Sequence, residues 1–454
     1  MISGSRPSGA SSTLLRSLGR WDLTAIGINM VIGAGVFMVP SQVAAQVGWW
    51  GLAACLVLGG VSLVIGLCFA EVGSRFDSTG GPYLYTRAAF GRFAGFEVGW
   101  LYWFTRAAAQ ASVMNGLVLA LGFYWPDIAT GGWRVALMVG LTSVLTWINV
   151  RGIRQTAWVV NALTLGKLLP LAVFVVLGVA LARPEAMPPL EPVGWGQAST
   201  ALLLLLFIFS GYEVIAVPGG ESIDPRRNVP FAILATILTI TVVNTLVFFV
   251  VMAALPDAAQ SQTPVADAAL TLMGPAGALL IGIGSVISIA GNNAGQILSG
   301  SRMLFALAKN VDLPRPLARI HPVYRTPANA VLFTAVTALT LALSGSFVGL
   351  AAASAVARLV TYLGVCLSTM MLRRPRFAES VGTARYTTPG GPLVPLIATF
   401  CSLAILAGIT IEQLLAGAGA LAAGAVLFSA ARWSDGSVAP GAVASLASSP
   451  TEGT

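Results

Sequence analysis

Two short segments of small residues interrupt long apolar stretches and could bind a zwitterion through backbone groups alone. Residues 33–35 (Gly-Ala-Gly) lie in the stretch 23–47, and residues 210–211 (Ser-Gly) lie in the stretch 198–219. Glycine costs about 1 kcal/mol relative to alanine inside a helix, and lipid offers no water to satisfy freed backbone groups. A helix break at this depth is therefore expected to face protein or an aqueous cavity. Two such breaks in corresponding places are typical of the substrate site of a transporter.

The first break is expected to present backbone groups of both polarities. N–H groups around Ala34, Gly35 and Val36 begin a half-helix and suit a carboxylate, whereas carbonyl groups near Val31 and Ile32 suit an ammonium. The alternative is that the glycines only permit close helix packing, and aromatic residues in apolar helices often serve packing alone. The predicted binding residues are Val31, Ile32, Gly33, Ala34, Gly35 and Val36 at the first break, Phe207, Phe209, Ser210, Gly211, Tyr212 and Glu213 at the second, and Asn292 and Asn293 farther along the chain.

Four of the charged residues within apolar stretches, where a charge is costly and indicates function by default, are candidates for a role in the site. Lys167 is predicted to couple transport to protons, because a buried lysine can release its proton; the alternative is a permanently charged strut. Glu213 is expected to pair with Arg358 or Lys167, to contact a cationic substrate, or to accept a proton. Arg106 and Arg358 are expected to face the interior of the helix bundle.

The elements that must position these residues are membrane helices. Apolar residues make up 56% of the 454 residues and charged residues only 9%, against about a quarter charged in soluble domains. Apolar runs of about 20 residues, the length that crosses a bilayer, recur along the chain and predict an all-α integral membrane protein with about twelve transmembrane helices. The predicted spans are 23–47, 49–71, 94–122, 133–150, 155–182, 198–219, 229–255, 275–305, 327–345, 348–372, 393–411 and 413–431.

The net charge of +8 follows membrane topology and does not indicate a nucleic-acid partner. Basic residues such as Arg151 and Arg154 concentrate at the helix ends that alternate on one side. The positive-inside rule therefore predicts a multi-pass protein of the inner (plasma) membrane with both termini in the cytoplasm. Glu221 and Arg227, in one basic segment, are predicted to close an inner gate or cap a helix, and a solvated loop pair is the alternative.

The positions of the two breaks, in the first and sixth spans, suggest two five-helix units. Because five is odd, the second unit must enter the membrane from the opposite side, which gives an inverted repeat. The last two spans lie outside this repeat and are available for packing or dimerisation, so that a monomer or a homodimer is expected. The predicted segments are a cytoplasmic tail 1–20, a first repeat 21–182, a second repeat 198–372, two additional helices 393–431 and a disordered tail 432–454.

Other function classes lack the residues that they need. The only histidine, His321, lies in a basic loop, and the sequence contains no His-Glu-x-x-His, Gly-x-Ser-x-Gly or P-loop motif. These absences argue against an intramembrane enzyme and an ATP-driven pump, and unbroken helices would better suit a passive channel. The four cysteines lie in apolar spans and are expected to be small buried hydrophobes. No catalytic residue, metal or cofactor is predicted.

Three segments of the chain resemble the amino acid–polyamine–organocation (APC) superfamily: residues 32–37 (IGAGVF), 209–213 (FSGYE) and 220–233 (GESIDPRRNVPFAI). The resemblance covers almost the whole chain and implies a LeuT-like fold, alternating access and amino-acid transport. Many relatives place serine between the two glycines, whereas this chain has Ala34, so that the backbone would hold the carboxylate without a hydroxyl. Lys167 matches a lysine of the fifth span that stands where sodium-coupled relatives hold a cation, and exchangers without proton coupling also carry it.

The substrate class follows from what the predicted pocket lacks. No carboxylate beyond Glu213 is evident there, which favours a neutral amino acid over arginine or a polyamine. We therefore predict a secondary active transporter that moves a neutral amino acid by proton-coupled symport, and amino acid/amine exchange or a polyamine permease is the alternative. The expected partners are a small-molecule amino acid, protons and membrane lipid.

Overall fold

The computed structural model describes residues 14–181, 190–345, 347–408 and 411–435. Every regular element in those ranges is a helix, in agreement with the all-α prediction. The last helix continues to Asp435 and so overlaps the first residues of the predicted disordered tail, whose remainder lies outside the described residues. The α-helices are α1 (Arg20–Val31), α2 (Gly35–Val47), α3 (Gly51–Gly73), α4 (Pro82–Phe90), α5 (Arg92–Tyr124), α6 (Gly131–Arg151), α7 (Ile153–Leu181), α8 (Trp195–Phe209), α9 (Pro225–Ala254), α10 (Pro264–Lys309), α11 (Ala328–Ser344), α12 (Phe347–Leu372), α13 (Ala378–Val381), α14 (Leu393–Ala407) and α15 (Ile411–Asp435).

The helices coincide with the predicted membrane spans, since each of those spans contains or overlaps a helix. Within the described ranges, six helical stretches are long and apolar enough to cross a membrane, and four shorter helices are also apolar. The protein is accordingly a multi-pass membrane protein. The count of twelve crossings and the inverted repeat stay predictions.

Both predicted helix breaks are confirmed. Between α1 and α2 the chain leaves helical geometry for three residues, 32–34. Between α8 and a short 3₁₀ helix that begins at Tyr212, Ser210 is extended and Gly211 has a φ of 130°. A Cβ atom on Gly211 would lie 2.9 Å from the carbonyl carbon and oxygen of Met30. Only glycine therefore allows the two breaks to touch.

Two features differ from a reading of the sequence by hydropathy alone. The segment between the second and third predicted spans holds α4, which begins at Pro82, the helix position that suits proline; Tyr83 and Tyr85 anchor it in the core. In α10, Gly274 has a φ of 69°, so that a bend separates a short preceding helix from the predicted span 275–305.

The central element is α10, which packs against α1, α5, α7 and α11. Nearly every residue from Ser288 to Ala308 is buried, and a helix buried on all sides belongs in the middle of a bundle. On one flank α5 packs against α12 and α15, and on the other α3 packs against α9. This arrangement brings α5, α10 and α12 to the two breaks. Of the four cysteines, Cys55, Cys68 and Cys366 are buried and Cys401 is half-buried, and all four are free thiols.

Candidate substrate-binding site

A small cavity lies where the two helix breaks meet, enclosed by α1, α2, α5, α8, α10 and α12. Eight of the fourteen predicted binding residues line it. Those eight are Val31, Gly33, Ala34, Gly35, Phe207, Ser210, Gly211 and Asn292. The other lining residues are Met30, Arg106, Ala109, Val113, Ile208, Gln296 and Arg358. The two breaks therefore line one cavity together.

The remaining six predicted residues are buried beside the cavity and do not line it. Tyr212 stacks on Tyr362 with 5.9 Å between ring centroids and meets Phe69 edge-on at 6.2 Å. These contacts show the packing role that aromatic residues commonly have in apolar helices. The side chain of Asn293 donates to the carbonyl of Ile289 in its own helix. The residues away from the cavity are Ile32, Val36, Phe209, Tyr212, Glu213 and Asn293.

Lys167 occupies the place where the sequence predicts a substrate ammonium. Its Nζ, fully buried, donates to the carbonyl oxygens of Asn29 at 3.0 Å, Ile32 at 2.6 Å and Ser288 at 3.2 Å. The Ser288 hydroxyl shares its single proton between the Ile32 carbonyl at 2.9 Å and the Gly33 carbonyl at 3.0 Å. The Ile32 carbonyl already accepts two donors from the protein, so an ammonium from the substrate would compete with them, and binding by Ile32 stays a prediction.

Helix α10 holds the rest of the first break through two asparagine amides. Asn292 Nδ2 donates to the Met30 carbonyl at 2.8 Å, and Asn29 Nδ2 donates to the Gly291 carbonyl at 2.6 Å. Since Asn292 also lines the cavity, it both positions the break and faces the space between the breaks. Together, Asn292 and Lys167 supply side-chain donors to two carbonyls that would be orphaned at the end of α1, those of Met30 and Asn29.

The donor side of the first break faces the cavity. Helix α2 begins at Gly35, and both Ala34 and Gly35 line the cavity. The first N–H groups of a helix lack intrahelical acceptors and lie at the positive end of its dipole, which suits a carboxylate. A Cβ atom on Gly35 would lie 2.5 Å from Ile208 Cγ2 and 3.1 Å from the Phe207 ring. Glycine is thus required for α2 to approach α8 at the cavity.

At the second break, a buried carboxylate holds two arginines. Glu213 Oε1 lies 2.9 Å from Arg106 Nη2 and 3.6 Å from Arg358 Nε, and Glu213 Oε2 accepts from the Gly211 N–H at 2.8 Å and the Tyr362 hydroxyl at 3.0 Å. The predicted pairing of Glu213 with Arg358 is confirmed. Arg358 also donates to the hydroxyl of Ser210. Glu213 therefore anchors the break from behind the cavity.

Several cavity residues could have been found from helix spacing. Arg106, Ala109 and Val113 are three and four residues apart, which places them on one face of α5. Gln296 likewise follows Asn292 by one helical turn, and its Nε2 donates to Asn292 Oδ1 at 3.1 Å. A mid-span arginine also indicates a position facing the bundle interior. What the sequence could not supply is which helices bring these faces together.

Residues 18–427 match the family described as Amino acid permease. This match spans both breaks, Lys167 and the arginine cluster. The chain belongs to the amino acid permease family.

Curated relatives of this permease cover nearly its full length. It is 29% identical to the serine/threonine exchanger SteT of Bacillus subtilis, over 88% of this chain and 92% of SteT. It is 25% identical to the branched-chain amino acid permease BcaP of the same organism, over 87% of this chain and 88% of BcaP. A methylthioribose transporter of Bacillus subtilis is also 25% identical, over 85% of this chain and 87% of that protein. These relatives are transporters and not enzymes. Because they are named for different substrates, the relatives do not identify the substrate of this permease, which must be inferred from the residues of its cavity.

Towards the basic loops, a buried ion pair joins Glu221 to α10, and it differs from the predicted pair of Glu221 and Arg227. Arg302 Nε and Nη2 lie 3.0 and 3.1 Å from the two oxygens of Glu221, and both side chains are fully buried. Arg302 lies six residues beyond Gln296, about 9 Å of helix rise. Glu221 therefore bonds to α10 and not to Arg227, which lies 3.9 Å from Asp224 at the surface.

The N-terminal segment docks on the same region. The N–H groups of Ser17 and Leu18 both donate to the carbonyl of Glu221, at 2.9 and 3.0 Å, and the N–H of Ile223 donates back to the Leu18 carbonyl at 3.0 Å. Leu18 is buried. The end of the predicted tail 1–20 is thus part of the folded structure and braces the segment that carries the ion pair.

We expect the two arginine–acid pairs on this side to differ sharply in their contribution to stability. Arg302→Met should lower the free energy of unfolding by about 3–5 kcal/mol, because it leaves the Glu221 carboxylate buried without its partner. Arg227→Met should change it by only about 0–1 kcal/mol, as for exposed ion pairs. Denaturant unfolding of both variants in the same detergent measures the difference. Equal shifts in the two variants would contradict the larger contribution of the buried pair to stability.

Proposed function

We propose that this permease is a secondary active transporter that binds an amino acid between its two helix breaks and releases it by alternating access. The observation that carries the proposal is the start of α2, whose Ala34 and Gly35 face the same cavity as the second break. A helix start without side-chain competitors suits the carboxylate that all amino acids share. Because residue 34 is alanine, backbone N–H groups supply this contact.

Because two donors of the protein compete for the Ile32 carbonyl, another acceptor suits the substrate ammonium better. Among the described residues, Gln296 Oε1 is buried and has no hydrogen-bond donor, and Gln296 lines the cavity. We therefore assign the ammonium to this amide oxygen, opposite the start of α2. This assignment replaces a backbone carbonyl with a side-chain carbonyl of the same chemical type.

Lys167 supports coupling to protons. Its ammonium joins α7 to the first break and to α10 through three carbonyls, so that loss of its proton would loosen all three contacts at once. We propose proton-coupled symport on this basis. The alternative is obligate exchange, in which Lys167 would be a permanently charged strut. This alternative is supported by the relative SteT, which is named an exchanger. Transport with and without a proton gradient separates the two modes.

The charge of the cavity bears on the alternative substrates. Arg106 and Arg358 line it, and its described lining residues include no carboxylate. Arginine and polyamines, which carry positive side chains, would be repelled. The polyamine alternative is thereby disfavoured.

The proposed mechanism uses the predicted organisation of the chain. We propose that residues 21–182 and 198–372 are inverted repeats that rock against each other, with α14 and α15 outside them. The breaks at 32–34 and 210–211 fall at corresponding places in the two units, which is how transporters with such repeats place their sites. Both termini would then lie in the cytoplasm.

The direct test is uptake of radiolabelled amino acids into proteoliposomes, with and without an inward proton gradient. Gly35→Leu is expected to lower uptake about 100-fold, because the added side chain meets Ile208 and Phe207 and fills the space at the start of α2. Gly60→Leu is a matched control, since a Cβ atom at this glycine meets nothing within 4 Å. Normal uptake by Gly35→Leu would separate the first break from the substrate site.

A further inference from the structure

The arginine cluster beside the cavity carries more positive than negative charge. Arg106 and Arg358 share a single carboxylate, that of Glu213, and all three side chains are more than nine-tenths buried. A guanidinium stays charged in proteins, so the cluster holds one positive charge without a partner. Lys167, also buried, adds no negative charge to offset it. An unpaired charge in such a place is costly, which indicates that an anion completes the site.

Arg106 has free hydrogen-bond donors for this anion. Only its Nη2 bonds to Glu213; within the described ranges, Nε and Nη1 are buried and have no acceptor. The guanidinium carbon lies 5.1 Å from the centre of the Tyr102 ring, which supports its plane. The large majority of buried side-chain polar atoms are hydrogen-bonded, so these two donors point to an acceptor that arrives with the substrate. The donor fork of a guanidinium matches a carboxylate.

The substrate's own charge decides which amino acids meet both requirements. In a neutral amino acid the α-carboxylate and the ammonium cancel, and the cluster keeps its unpaired charge. A hydroxyl side chain would supply an acceptor but no charge. An acidic side chain supplies both, and it can leave the α-carboxylate at Gly35 because Arg106 and Gly35 line the same small cavity.

We infer that this permease selects aspartate or glutamate, with Arg106 binding the side-chain carboxylate. The inference rests on the proposed function and revises the neutral amino acid that the sequence predicts from the lack of pocket carboxylates. Arg106 thereby becomes a residue that determines specificity.

The test compares radiolabelled L-aspartate, L-glutamate, L-serine and L-leucine in proteoliposomes of the full chain. We expect uptake of at least one acidic amino acid to exceed that of serine and leucine by about 10-fold, the difference that one charge-assisted hydrogen bond makes. Arg106→Gln should abolish this preference, and Arg106→Lys, which keeps the charge, should retain part of it. Arg315→Gln, at an exposed arginine outside the site, should leave the preference unchanged.

The possible results separate the inference from the proposed function. Uptake of serine or leucine in preference to both acidic amino acids would overturn the inference and leave the transport function standing. Acidic preference that survives Arg106→Gln would overturn the role of Arg106. Uptake of none of the four above protein-free liposomes would overturn the proposed function and the inference with it. Thermal stabilisation of the detergent-solubilised wild type by glutamate but not by serine gives a second readout that needs no variant.

Discussion

Replacement of Lys167 by methionine is expected to abolish gradient-driven accumulation of substrate, with a loss of about 100-fold or more. Methionine has similar length but no donor, so that the carbonyls of Asn29 and Ser288 lose the hydrogen bonds that Lys167 Nζ makes. The Ser288 carbonyl lies inside α10 and keeps its helical donor, whereas the Asn29 carbonyl is left unsatisfied. One buried group without a donor costs about 1–3 kcal/mol, and the upper part of this range corresponds to a loss of about 100-fold. The Ile32 carbonyl keeps the Ser288 hydroxyl as a donor, which should allow the variant to fold.

The chain supplies its own control for this substitution. Its only other lysine, Lys309, is exposed near the end of α10, and Lys309→Met should accumulate substrate as the wild type does. Counterflow exchange without a gradient distinguishes proton coupling by Lys167 from its role as a permanently charged strut. Retained exchange with lost accumulation indicates a coupling group, whereas loss of both indicates a strut. Accumulation by Lys167→Met at the wild-type level would contradict both roles.

Glu213→Ala is expected to lower the free energy of unfolding by about 3–5 kcal/mol and to prevent transport. Removal of one partner from a buried ionic cluster leaves the other charges buried and uncompensated. Here two arginines would lose their shared carboxylate, and the Gly211 N–H and the Tyr362 hydroxyl would lose their acceptor. The second break would then lose the contacts that Glu213 makes with α5 and α12.

Denaturant unfolding in detergent, together with uptake, measures this effect. Glu379→Ala, at an exposed glutamate in α13, is the matched control and should behave as the wild type does. The double variant Glu213→Ala/Arg106→Met should recover part of the lost stability, because it removes one of the two unpaired guanidiniums. If Glu213→Ala unfolds at the same denaturant concentration as Glu379→Ala, the cluster does not anchor the break.

The helix breaks could be predicted because their causes are local. Glycine weakens a helix wherever it stands, and the apolar stretches around 33–35 and 210–211 are too long to be anything but membrane spans. Helix spacing could also have predicted that Gln296 and Arg106 line the cavity, but only once a residue one turn away in the same helix is known to face the cavity. Hydropathy alone does not predict α4, because this helix has only nine residues and contains the charged Arg87.

The partners of charged residues could not be predicted, because they depend on which helices meet. Glu221 lies six residues from Arg227 in the sequence, yet it bonds to Arg302, 81 residues away. The pair of Glu221 and Arg302 is buried in the core, and no pattern in the neighbouring sequence indicates that these two residues meet. Similarly, the ammonium expected at Ile32 is present, but it belongs to Lys167. The chemistry at the break was foreseeable, whereas the identity of the group that satisfies it was not.

The contact between Gly211 and Met30 has a mechanical consequence. Since their backbones touch without room for a Cβ atom, the two broken helices share a single pivot at the level of the cavity. A rotation of either helix about that point presses directly on the other backbone, with no flexible side chain between them to absorb it. Under the proposed alternating access, the half-helices on either side of the breaks are therefore expected to move together, and a side chain at position 211 would meet the Met30 carbonyl at this contact.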